Sequence, residues 1–279
     1  MFVFTTHSEL RSFLKKQTGS VGLVPTMGAL HKGHLSLVQK AAENNNWVLV
    51  SIFINPTQFN NANDLAKYPK NMAKDLELLT PYNKKLIVYT PNDSDLYPKA
   101  INAKKYDFGS LALHMEGAFR DNHFNGVATV IEALFRNLKP DRAYFGEKDF
   151  QQLQIIKKMV AITKLPVNII TCPIEREANG LAMSSRNTRL SPAEVDASAL
   201  IYKTLQSVQR QFNYESRQAI SEWVVNQFST HPLFELDYFQ ISEVESLAPI
   251  KQKSPYKSCR AFIAVNIGDV RLIDNIDLN

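Results

Sequence analysis

The chain has 279 residues, 44% hydrophobic and 21% charged, with a formal net charge of +5 at pH 7. These are ordinary globular values for one large domain or two smaller ones, and no stretch is long and apolar enough to predict a membrane-spanning helix. The basic excess is scattered in isolated pairs such as Lys15-Lys16 and Lys157-Lys158, without interleaved aromatic rings, so neither nucleic acid nor a membrane is expected as a partner.

The N-terminal residues lack the basic, apolar and small-residue regions of a secretory signal, so a cytoplasmic location is expected. Only Cys172 and Cys259 are present, far apart and without metal-ligand spacing, which argues for two reduced, structural thiols.

Apolar runs predict strands near 21–25, 47–54, 86–90, 142–146 and 167–171. Between them, residues 34–45, 71–79, 124–138 and 149–162 repeat with helical spacing. Such alternation implies a Rossmann-like, doubly wound parallel sheet with helices on both faces. Ligands of this fold bind beyond the carboxyl ends of the strands, where the strand order reverses. The tract 60–63 is expected to be a polar turn. Segments 64–70 and 116–127 read as loops over the sheet, from which Arg120 and His123 are candidates to close over a ligand. After Cys172-Pro173 the pattern changes to a polar loop over 174–190, helices near 191–212 and 215–229, and strands near 235–242 and 259–267. The expected division is a Rossmann-like ligand-binding domain over 1–174 and a smaller α+β domain over 175–279 that closes over the site.

Chemistry concentrates in turns that follow strands. Pro25 ends the first strand of the alternating series, and Met27-Gly28-Ala29-Leu30-His31-Lys32-Gly33-His34 leads into a helix, with Gly33 and His34 expected at its start. Unpaired amides and the positive end of the helix dipole suit a phosphate there, and His31 and His34, three residues apart, share a face. Gly146-Glu147-Lys148-Asp149 repeats the arrangement, with Lys148 as a point charge, Asp149 as the expected N-cap and Gly146 permitting a sharp turn. Met183-Ser184-Ser185-Arg186 brings two hydroxyls and a guanidinium together ahead of a helix capped by Ser191. In Asn55-Pro56-Thr57-Gln58, Asn55 reads as a structural Asn-Pro turn. Gln58 has no such structural role and is a candidate for substrate, with Gln152 facing it.

These segments, together with Arg271-Leu272-Ile273-Asp274-Asn275, resemble the pantoate-β-alanine ligases over nearly the whole chain. That family lies in a nucleotidyltransferase-like group sharing the His-x-Gly-His turn with class I aminoacyl-tRNA synthetases. The resemblance implies that pantoate attacks ATP to form an adenylate and pyrophosphate, and that β-alanine then displaces AMP. By position, Met27 to His34, Gly146 to Asp149, Glu175 and Met183 to Arg186 would contact ATP. Gln58 and Gln152 would serve pantoate, Gln58 also the amine. His34 holds the place of the family's proton donor, beside His31 and Lys148 as the catalytic set; the chemistry asks first for hydrogen-bond donation to departing pyrophosphate.

Magnesium and a homodimer are also implied. Asp75 matches an acidic position proposed near the metal, without fixing its ligands. Three departures stand out: Glu175 replaces the usual valine, Asp121-Asn122 replaces proline-glycine, and Lys74 replaces an acidic neighbour of Asp75. Two other readings are weaker. Transfer of a nucleotidyl group to a phosphorylated acceptor would want cations where Gln58 and Gln152 stand, and an RNA-binding synthetase-like module would want a basic helix.

Overall fold

The computed structural model describes residues 1–59, 62–97, 102–254 and 256–279. The chain divides into two compact units. The first comprises Met1–Phe108, Phe119–Glu147 and Gln152–Pro173, and the second Gly109–Ala118, Lys148–Gln151 and Ile174–Asn279.

The first unit is built on β1 (Phe2–Phe4), β2 (Val21–Thr26), β3 (Trp47–Ile52), β4 (Leu86–Tyr89), β5 (Arg142–Gly146) and β6 (Asn168–Cys172). All pairings are parallel, in the order β1-β4-β3-β2-β5-β6. The central strands are near-continuous apolar runs because both faces are covered. Val24, Val50 and Val88 align in register and pack with Leu37, Val38 and Ala41 of the following helix, all buried. From β2 the chain moves outward through β3 and β4 on one side, and β5 with β6 lies on the other. The order therefore reverses between β2 and β5, which pair at Gly22–Arg142 and Leu23–Ala143.

The helices of the first half are α1 (His7–Leu14), α2 (Lys32–Asn44), α3 (Ala62–Lys67), α4 (Met72–Leu79), α5 (Asp93–Leu96), α6 (Glu116–Phe119), α7 (His123–Leu138) and α8 (Phe150–Thr163). The segments expected to be loops at 64–70 and 116–127 are thus partly helical, carrying α3, α6 and the start of α7. Of the expected turn at 60–63, residues 60 and 61 lie outside the described residues and the rest opens α3. At the sheet edge, β1 and α1 were not expected, since three strand residues are too short for periodicity to show.

The second unit contains α9 (Pro192–Gln211), α10 (Arg217–Ser229) and an antiparallel sheet of β7 (Phe234–Glu243), β8 (Cys259–Ile267) and β9 (Val270–Asp277). Ser191 caps α9 in a reciprocal capping box with Glu194, with Pro192 at the first position. Leu205, Val208, Ile220, Val224 and Phe228 pack on Ala261, Ile263 and Val265 to form its core. The long strand β9 was not expected because Arg271, Asp274 and Asn275 interrupt its apolar pattern. Both cysteines are buried and free. Among the described residues no helix is long and apolar enough to cross a membrane.

Candidate active site

The turn after β2 is held by its own backbone chemistry. The Thr26 hydroxyl donates to the Ser51 carbonyl at 2.8 Å and accepts the Gly28 amide at 3.2 Å. Gly28 and Ala29 are both left-handed, with φ of +81° and +50°. Gly28 is required twice over, since a Cβ there would also lie 3.0 Å from Asp75 Oδ2. Ala29 carries a cost of about 1–2 kcal/mol in that conformation. Asp75 of α4 offsets it: Oδ2 accepts the Ala29 amide at 3.0 Å and Oδ1 the Leu30 amide at 2.7 Å. Burial pushes the Asp75 carboxyl above its ordinary range, and the amides of Leu30 and Ala29 and the charge of Lys74 oppose that rise. With both oxygens engaged by backbone, this carboxylate anchors the turn.

α2 begins at Lys32, one residue earlier than expected, because His31 is itself the N-cap. Its Nδ1 accepts the Gly33 amide at 3.2 Å. An amide only donates, so the proton of the neutral His31 ring sits on Nε2, which is then a donor. The His31 and His34 rings lie with centroids 4.0 Å apart, tilted by 38°. Two imidazoles therefore sit side by side on the first turn of a 13-residue helix, where a phosphate would meet donors and the positive end of the dipole.

Strand β5 ends beside β2 at the reversal point. Gly146 is its last residue, its φ is not left-handed, and a Cβ there would meet nothing within 4 Å. The expected role in a sharp turn is corrected: the glycine leaves open space at the strand end. Glu147, Lys148 and Asp149 form a 3-10 turn running straight into α8, which places Asp149 immediately before Phe150, the first residue of that helix. Gln152 lies half-buried in the first turn of α8, within the first unit.

Gln58 ends the 3-10 turn Pro56–Gln58, which Asn55 caps. Asn55 is structural, as expected: its Oδ1 accepts from the Thr57 amide and hydroxyl at 3.3 and 2.9 Å, and its Nδ2 donates to the Gly126 carbonyl at 3.2 Å. Gln58 does have side-chain partners, contrary to expectation. Its Oε1 accepts from Asn55 Nδ2 at 3.2 Å and its Nε2 faces Met27 Sδ. Arg120 Nη2 and His123 Nδ1 both reach the Gln58 carbonyl, at 3.3 and 2.8 Å, so these two residues buttress the turn Pro56–Gln58. Asn122 has φ +58°. Asparagine tolerates that region, so the departure from proline-glycine preserves a left-handed turn at the entry of α7.

In the second unit, Glu175 accepts the Met183 amide on its carbonyl at 2.9 Å, and Arg176 pairs with Ala182, closing a small hairpin around Gly180. Ser184 caps the 3-10 turn Ser185–Arg189, its hydroxyl accepting the Arg186 amide at 3.3 Å.

The terminal motif, for which the sequence offered no role, organises this unit. Arg271 holds Glu116 in a fork of 2.9 and 2.8 Å and Asp237 at 2.6 Å. Asp274 takes a fork from Arg176 at 2.6 and 3.0 Å, and Asn275 Nδ2 donates to the Lys148 carbonyl at 3.0 Å. Burial pushes the Asp274 carboxyl up, opposed by the hydrogen bonds and charge of Arg176, the Asn275 amide and the charge of Lys148. Lys148 Nζ itself lies 3.9 Å from Asp149 Oδ1. Arg271, Asp274 and Asn275, which interrupt the apolar residues of β9, were the signal for this network.

The structure thus pairs His31 with His34 and Gln58 with Met27 in the first unit, and seats Lys148 against Asn275 in the second.

Comparison with known proteins agrees with this architecture. The profile of the family described as pantoate-beta-alanine ligase matches residues 2–277. A pantothenate synthetase of Christiangramia forsetii is 50% identical over 95% of this chain and 94% of the relative. The crystal structure of pantothenate synthetase from Thermus thermophilus superposes with a TM-score of 0.92 at 36% identity, over 100% of this chain and 99% of the other. A pantoate-beta-alanine ligase from Francisella tularensis, complexed with beta-gamma ATP and beta-alanine, gives 0.82 at 33% identity over 100% and 98%. Full-length identity at this level, with the strand order and the paired imidazoles described above, places the chain in the pantoate-β-alanine ligase family, whose members are ligases that form a carbon-nitrogen bond.

Proposed function

We propose that this enzyme condenses pantoate with β-alanine at the expense of ATP, through a pantoyl adenylate. A pantoate carboxylate oxygen attacks the α-phosphorus of ATP, the bond to the bridging oxygen breaks, and pyrophosphate leaves. The β-alanine nitrogen then attacks the pantoyl carbonyl carbon. The carbon-nitrogen bond forms, AMP departs with the bonding pair, and the amine loses its proton. The ATP-complexed relative from Francisella tularensis supports ATP and β-alanine as substrates.

The reading is carried by the two imidazoles at the start of α2, 4.0 Å apart, with the His31 tautomer set so that Nε2 donates. We assign Met27 to His34, Gly146 to Asp149, Glu175 and Met183 to Arg186 to ATP, with His34, His31 and Lys148 stabilising charge on the departing pyrophosphate. His34 acts as a hydrogen-bond donor; no covalent enzyme intermediate is needed. Gln58 and Gln152 bind pantoate, and Gln58 also meets the incoming amine. We further propose a homodimer working in the cytoplasm; sedimentation tests the assembly.

The family also implies magnesium. Among the described residues no group of three or more His, Cys, Asp or Glu is placed to hold a metal ion, and both Asp75 oxygens are engaged by amides. The side chains therefore do not form a cage for it. An ion entering with ATP would ride on the phosphate oxygens.

Isotope exchange between pyrophosphate and ATP tests the proposal. Exchange is expected to require pantoate and to proceed without β-alanine. Exchange driven by an amino acid instead, or none with pantoate, would overturn it.

A further inference from the structure

Tyr97 stands outside every segment assigned above, yet its hydroxyl touches the group that orients Gln58. It follows α5 and is 8% exposed, its ring 6.3 Å from that of Phe53. The hydroxyl donates to Asn55 Oδ1 at 2.7 Å, shorter than either Thr57 bond to the same oxygen. It is also the one donor among these three that comes from outside the turn 55–58. Burial, opposed by a hydrogen bond with Thr57 and reinforced by the charge of Asp93, pushes this hydroxyl up to about 12, so it stays protonated at neutral pH.

The orientation of Asn55 cannot be inverted. Its Nδ2 faces the Gly126 carbonyl, which only accepts, and its Oδ1 faces the Thr57 amide, which only donates. The second Nδ2 proton goes to Gln58 Oε1 at 3.2 Å. That contact turns the Gln58 oxygen toward Asn55 and its NH2 toward Met27, the first residue of the histidine turn. Gln58 thus presents donors, which suit the carboxylate and hydroxyl oxygens of a hydroxy acid.

We propose that Tyr97 is a positioning residue for pantoate: its hydroxyl braces the Asn55 carboxamide, which sets the end of Gln58 that faces the acid and how firmly it is held there. This rests on the reading that Gln58 binds pantoate.

The test is steady-state kinetics of Gln58→Ala, Tyr97→Phe and the double variant, with KM for pantoate and for ATP measured separately. Tyr97→Phe keeps the ring and its packing. It is expected to raise the pantoate KM about tenfold, the scale of one lost hydrogen bond, and to leave the ATP KM unchanged. In the Gln58→Ala background it should add nothing. An unchanged pantoate KM in Tyr97→Phe, an equal rise for both substrates, or the same rise in the Gln58→Ala background would each overturn the proposal. A pantoate KM that Gln58→Ala itself leaves unchanged would instead refute the assignment of Gln58. As an independent readout, the side-chain amide resonances of Gln58 should move in Tyr97→Phe; identical shifts would also overturn the proposal.

Discussion

Replacing Asp75 by asparagine probes the clamp behind the turn that follows β2. The carboxylate accepts the Ala29 and Leu30 amides at 3.0 and 2.7 Å from a site 3% exposed. In Asp75→Asn one oxygen becomes an NH2, which sets a donor against a donor. An amide left unsatisfied at a buried site costs about 1–3 kcal/mol. The left-handed Ala29, worth about 1–2 kcal/mol of strain, then loses part of its restraint. Relief of the buried charge returns some of this, so about 2 kcal/mol is the expected net loss. Such a loss corresponds to a fall in Tm of roughly 4–8 °C for a unit of this size. Thermal unfolding followed by circular dichroism reads the stability, and pyrophosphate exchange at varied ATP reads the turn. The ATP KM should rise about tenfold, corresponding to ~1.4 kcal/mol of lost alignment. An unchanged Tm together with an unchanged ATP KM would refute the clamp. So would a kinetic defect that disappears when magnesium is raised, since that would make Asp75 a cation ligand.

Other outcomes follow from the same geometry. Glu132 is buried on α7; burial alone pushes its carboxyl up, but hydrogen bonds from Lys104, Tyr106 and Arg136 outweigh it and hold it at about 2. Because this value is depressed from about 4.3 in the unfolded chain, about 3 kcal/mol of stability is present above that pH and lost as pH falls toward 2. In urea unfolding, Glu132→Gln should therefore be less stable than the parent at pH 7 and lose less between pH 5 and 2; parallel curves would contradict this. At Gly126 an added Cβ would lie 2.2 Å from the Thr57 carbonyl oxygen. Gly126→Ala should cost about 1–3 kcal/mol and raise the pantoate KM, and wild-type values for both would remove the supporting role of that contact. Gly146→Ala meets open space, so it should keep the parent Tm while raising the ATP KM; an unaltered ATP KM would show that nothing needs the room.

The sheet was legible because its central strands are apolar on both faces and its helices repeat with a single period, as in Val127, Val130, Ile131, Leu134 and Leu138. Boundaries moved where a side chain did the work of backbone, as His31 does at the start of α2. The histidine turn was legible as a motif, whereas its support was not. Asp75 lies 45 and 46 residues from the amides it accepts, and Tyr97 lies 42 from Asn55. Such partners follow from tertiary packing, which a one-dimensional pattern does not encode. No local pattern around Gln58 shows a structural purpose, because its orientation comes from the Asn55 carboxamide of the same turn.

The central claim is that the imidazoles at the start of α2 stabilise the departing pyrophosphate. Its most direct test is the pantoate-dependent exchange rate of His34→Ala, measured beside its Tm. The account predicts a parent-like Tm and an exchange rate lower by about 10²–10³, the range for losing one such donor. Exchange at the parent rate in a folded His34→Ala enzyme would contradict it.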